Sequence, residues 1–250
     1  MRRFFRVSRL EHDAEVPVTA HLEELRDRLI VSLVVLGVAA AVAFWRHHDL
    51  LHLMNHALPK HVSGGKPITL SPGEPLKIAL LVSLWGAVLV TLPVLFYQAY
   101  AFIVPAFEER HQKAARPMLV GVPVLFLVGV AFAYILVVPA AMRFLLGYDS
   151  HSFNIQVQAS SFYQSEIMIM GGMGLIFELP AAAWLFARAG VVSSRFLRKQ
   201  RRYAIFILTV IAAALPGGDP ISMLLALIPL LVLYEVSIVI VRAVERSRGA

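Results

Sequence analysis

The chain has 250 residues, 58% of them hydrophobic, and a mean hydropathy of +0.72. Charged residues make up only 16%, against about 25% in an average soluble domain, and they cluster so as to leave long uncharged runs, which excludes a large soluble core in favour of a polytopic membrane protein. A net charge of +7 would suit nucleic acid, but the basic residues flank apolar runs, where membrane topology accounts for them, and the absence of cysteine excludes disulfides and thiol catalysis.

The whole of 1–250 reads as a single membrane domain with six apolar spans. The charged N-terminal region is too long for an ordinary cleaved signal peptide, and the apolar run after it has no clear cleavage site. Within TAHLEELRDRLI, Leu22, Leu25 and Leu29 recur at i, i+3 and i+7 and predict an apolar helical stripe, with Glu23, Glu24, Arg26, Asp27 and Arg28 between them. No charge then appears until Arg46, so this amphipathic turn runs directly into a first span at 29–45. A polar loop over 46–73 follows. Its histidines His48, His52 and His56 stand at i, i+4 and i+8, a spacing that could align imidazoles on a metal. No carboxylate or cysteine completes such a set, so the wet face of an interfacial helix is expected there, with no metal.

Glycines and prolines from Gly64 to Pro75 break regular structure before the second span, 76–103, in which Pro93 predicts a bend. After the loop PAFEERHQKAARP comes the third span, 118–146, with kinks expected at Pro123 and Pro139. A polar loop over 147–164 precedes the fourth span, 166–187, which carries the run GGMG and, near its middle, Glu178. A basic loop leads to a short fifth span, 203–215, and the sixth, 221–241, with the turn PGGDP between them. Eighteen of the 23 basic residues fall on one side of this arrangement, which by the positive-inside rule places both termini in the cytoplasm. No internal repeat supports an inverted-repeat transporter.

No phosphate-binding loop, zinc-protease motif or nucleophile elbow is present, so no enzyme and no cofactor is expected. What stands out are carboxylates in costly places. Glu178 at bilayer depth must face protein or water, since an ionised carboxylate there costs ~2.5–3.5 kcal/mol. It reads either as a polar patch in a water-filled concavity or as a carboxyl bonded to a neighbouring helix. The same two readings apply to Glu235 in the sixth span. Glu24 at the membrane rim reads either as an i, i+4 partner of Arg28 or as an acceptor for a cationic peptide. Glu108 and Glu109 close the loop before the third span, and Asp219 caps a turn or acts in the hairpin. On the residues alone, a proton- or cation-coupled small-solute secondary transporter centred on Glu178 is the leading reading.

Six segments, taken together and in order, resemble the TatC family of twin-arginine translocase subunits. They are HLEELRDRL at His21–Leu29, SPGEPL at Ser71–Leu76, YQAYAFIVPAF at Tyr97–Phe107, FAYILVVP at Phe132–Pro139, FELP at Phe177–Pro180, and PGGDP followed by LLALIPLLVLYE. The resemblance implies an all-α receptor of six transmembrane helices, concave on one side, in the bacterial cytoplasmic membrane. It would bind twin-arginine signal peptides of folded cargo and act in an oligomeric complex with TatA and TatB, or a bifunctional TatA, driven by the proton motive force. Carried over residue by residue, the resemblance puts signal-binding roles on Glu24, Arg26 and Phe102, and family positions on Glu178 and Asp219. One position departs: the second signal-binding glutamate falls on His111. A neutral imidazole accepts one hydrogen bond where a carboxylate grips a guanidinium at two points. Glu108, three residues back, or Glu109 is expected to supply the acceptor instead.

Overall fold

A computed structural model describes residues 18–59, 66–103, 118–148, 155–214 and 220–249. They are almost wholly helical. The chain divides into two compact units, 1–46 with 83–123 and 47–82 with 124–250. Among the described residues five helical stretches are long and apolar enough to cross a membrane: Leu22–Trp45, Glu74–Phe102, Met118–Gly147, Ala159–Arg188 and Met223–Ser247.

In the first unit, α1 (Val18–Trp45) is one unbroken helix, so the charged turn and the apolar run are continuous. Leu22, Leu25, Leu29, Leu33 and Val38 are all exposed, so the apolar stripe faces outward, as it must where the surrounding medium is hydrocarbon. Trp45 ends the helix almost fully exposed, at the place where an amphipathic ring suits a membrane interface. Helix α3 (Glu74–Ile103), which belongs to this unit from Ser83 onward, accommodates Pro93 without a break. Two residues earlier the buried hydroxyl of Thr91 donates to the Ala87 carbonyl at 2.8 Å, a second local loosening of the helical ladder.

In the second unit a short helix, α2 (His47–Met54), passes into a 3-10 turn at Asn55–Ala57. That change of winding breaks the spacing that would have aligned His48, His52 and His56; the His56 ring lies 5.6 Å from that of Tyr134 instead. Among the described residues no group of three potential ligands gathers to hold a metal. The third apolar stretch comprises α4 (Met118–Phe132), a π-helical turn (Ala133–Val137) and α5 (Val138–Gly147). Pro123 is absorbed within α4. Pro139, which has no amide to offer the preceding turn, follows directly on the wider π winding.

Helix α6 (Ala159–Phe177) starts earlier than the polar residues Ser160, Ser161 and Gln164 suggest, so the loop expected to run to 164 ends before Ala159. The reason is long-range. Ile68 accepts from the Ala159 amide at 2.7 Å, and the Glu74 carboxylate accepts from the Ser160 amide at 2.9 Å, so amides at the helix start find partners in a distant segment. Helix α6 packs tightly on α4: a Cβ on Gly129 would lie 2.7 Å from the Met173 carbonyl oxygen, and one on Gly174 would lie 2.8 Å from the Phe126 ring. Helix α7 (Leu179–Arg188) and the short α8 (Ser194–Lys199) follow. Helix α9 (Arg201–Ala214) is 14 residues, about 21 Å long, short against a hydrocarbon core of about 30 Å. Helix α10 (Pro220–Gly249) packs along α7 around Ala187, Val241 and Val244.

Candidate functional site

In α1 the leucines point out and one polar face points in. Arg28 lies one turn after Glu24, and its guanidinium donates to Glu24 Oε1 through Nε at 3.0 Å and also through Nη2. Its third nitrogen, Nη1, donates at 3.3 Å to the side-chain oxygen of Gln98 in α3. The Arg28 side chain is only 12% exposed and that of Glu24 27%, while Gln98 is buried. A planar cation is thus held on one oxygen of a carboxylate and a side-chain amide, between α1 and α3. The i, i+4 pair follows from spacing; Gln98, seventy positions away, does not. Arg26 projects outward, 70% exposed, within 3.5 Å of Asp27. Phe102 is half-buried at the last turn of α3. Glu108, Glu109, His111 and Asp219 lie outside the described residues.

Glu178 does not sit within a continuous helix. It occupies the junction where α6 ends and α7 begins, with Pro180 in the first turn of α7. Proline is suited to that position because its missing amide would be unpaired there in any case. Glu178 is half-buried, and its Oε1 has no hydrogen-bond partner among the described residues. Glu235 is exposed and paired with Arg201 at 2.7 Å, so an ion pair between α9 and α10 accounts for it.

Two carboxylates escaped the reading of the sequence. Glu74, in SPGEPL, is buried and accepts from the Leu70 amide at 2.7 Å and the Ser160 amide at 2.9 Å, tying a loop and the start of α6 to the first turn of α3. Its place just after the Pro–Gly break was the available signal. Glu166, on α6, is 1% exposed, and neither of its oxygens has a partner among the described residues. Nothing in the sequence marked it, because the expected span began there.

The sequence matches the family described as Sec-independent protein translocase protein (TatC) over residues 20–229. It is 33% identical to the Sec-independent protein translocase protein TatC of Aquifex aeolicus (strain VF5), over 93% of this chain and 98% of that one. It is also 33% identical to the chloroplastic TATC protein of Oryza sativa subsp. japonica, over 90% of this chain and 62% of that one. The fold is similar to a crystal structure of the twin arginine translocase receptor TatC, with a TM-score of 0.76 and 32% identity over 90% of this chain and 99% of that one. A structure of that receptor in DDM matches at the same TM-score with 34% identity, covering 87% and 97%. The likeness is to a multi-pass component of a protein translocase, not to an enzyme. The chain belongs to the TatC family of Sec-independent protein translocase proteins.

Proposed function

We propose that this chain is the receptor subunit of a twin-arginine translocase in the bacterial cytoplasmic membrane, with both termini in the cytoplasm. Glu24 is the acceptor for one arginine of the signal peptide, flanked by Arg26 and Phe102. Glu108, or else Glu109, takes the second arginine in place of His111. Partners of the TatA and TatB type, or a bifunctional TatA, complete an oligomeric complex that moves folded cargo on the proton motive force.

The observation that carries this reading is the seat of Arg28. Guanidinium is always charged and fork-shaped, and Glu24 with Gln98 already holds one by three nitrogens. An arriving arginine that takes Glu24 displaces Arg28, which keeps its bond to Gln98, whereas lysine offers a point charge without the fork. The outward leucines of α1 leave an apolar face on which the hydrophobic stretch of a signal peptide can lie.

The test is photo-crosslinking of a twin-arginine signal peptide to membranes carrying the wild-type chain, Glu24→Ala or Glu108→Ala. Labelling falls in both variants, and a twin-lysine peptide labels the wild type weakly. Undiminished labelling of Glu24→Ala would defeat the assignment. Cargo transport into inverted vesicles stops on addition of a protonophore; transport that persists would remove the proton gradient from the account.

A further inference from the structure

Four arginines of the second unit converge on one cavity of about 500 Å³: Arg195 and Arg198 from α8, and Arg242 and Arg246 from α10. Glu245 shares the lining and acts electrostatically on Arg198 and Arg195, so a single carboxylate stands against four guanidiniums. One of its oxygens accepts from the Ser194 amide at 2.8 Å and the other from the Ser194 hydroxyl, so the carboxylate is committed to holding α8 against α10. Arg198 donates to the Ser194 carbonyl at 3.3 Å through Nε. No ion pair joins any of the four arginines to a carboxylate among the described residues. Like charges lining one cavity repel, and a fold that sets four guanidiniums against the one carboxylate of Glu245 leaves the balance to an external anion.

The place narrows the choice of anion. The cavity lies at the end of the apolar stretch Met223–Ser247. Beside it Phe196 and Val191 are 53% and 71% exposed, an unfavourable display in water and a favourable one where acyl chains begin. Basic pockets at the ends of membrane helices are suited to phosphate headgroups, and a volume near 500 Å³ lies within the range of small-ligand sites.

We infer that the cavity between α8 and α10 binds the headgroup phosphate of an anionic phospholipid from the adjoining leaflet. This rests on the chain being a multi-pass membrane protein and not on the twin-arginine reading, so either can fail without the other.

The test is native mass spectrometry of the full chain released from nanodiscs of mixed phosphatidylcholine and phosphatidylglycerol. The wild type retains phosphatidylglycerol in preference to phosphatidylcholine. The double variant Arg195→Gln/Arg242→Gln loses that preference by about tenfold, which is about 1.4 kcal/mol. Lys199→Gln/Arg202→Gln, which removes the same charge outside the cavity, keeps it, and elution as a monodisperse species shows that both variants are folded. Millimolar inorganic phosphate does not displace the lipid. Equal loss in the two double variants would overturn the site in favour of diffuse surface charge. Displacement by free phosphate, or retention only of an acidic peptide, would overturn the lipid as its ligand.

Discussion

Glu74 and Glu166 lie in the same unit and are almost equally hidden, at 5% and 1% exposed, yet they are opposites chemically. Glu74 stands in the first turn of α3, with the loop at Leu70 and the start of α6 close by, and both offer amides that no helix has used. Glu166 stands about two turns inside α6, where every neighbouring amide is already committed to the helix, and it has no partner among the described residues. Burial alone therefore does not distinguish a structural carboxylate from an unusual one; its position along the helix does. Glu24 is a third case: it too lies within a helix, but at the rim, where a guanidinium can reach it.

The largest effect is expected at Glu74. Glu74→Ala leaves the part-buried amides of Leu70 and Ser160 without their acceptor and lowers the unfolding midpoint more than any change below. Thermal unfolding in detergent would show it, and an unchanged midpoint would break the contrast with Glu166. Next is Gly129→Ala, where the added methyl meets helix backbone; overpacking of this kind costs ~1–3 kcal/mol, whereas Gly121→Ala, with open space around it, is neutral in the same assay. Arg28→Gln removes the cation from Glu24 and costs roughly 1 kcal/mol, and the cycle with Glu24→Gln and the Glu24→Gln/Arg28→Gln double variant isolates the pair. Smallest is Glu166→Gln, which trades one unpartnered polar group for another and shifts the midpoint by less than about 0.5 kcal/mol equivalent. A large loss there would mean that Glu166 has a partner after all.

The apolar runs were legible because charge is scarce and clustered, and the N-terminal pair Glu24–Arg28 because i, i+4 spacing is local. Helix limits were less so. Ser160, Ser161 and Gln164 look like loop residues, and only the amide-accepting groups of Ile68 and Glu74, far away in the chain, explain why α6 begins at Ala159. That shift is also what places Glu166 inside a helix when the sequence put it at the edge. Pro139 signalled an irregularity, since it cannot donate to the Ile135 carbonyl four residues back, but not its form, a π turn over Ala133–Val137. At the rim, the sequence offered Arg28 as Glu24's partner but gave no sign of Gln98, whose contribution is a tertiary contact within the first unit.

The most direct test of the central claim is a double-mutant cycle on purified protein. Binding of twin-arginine and twin-lysine signal peptides would be measured against the wild-type chain and Glu24→Gln. If Glu24 is the acceptor for a forked cation, the wild type prefers the arginine peptide by about tenfold or more, about 1.4 kcal/mol, and Glu24→Gln abolishes most of that preference. A preference that survives intact in Glu24→Gln would contradict the account.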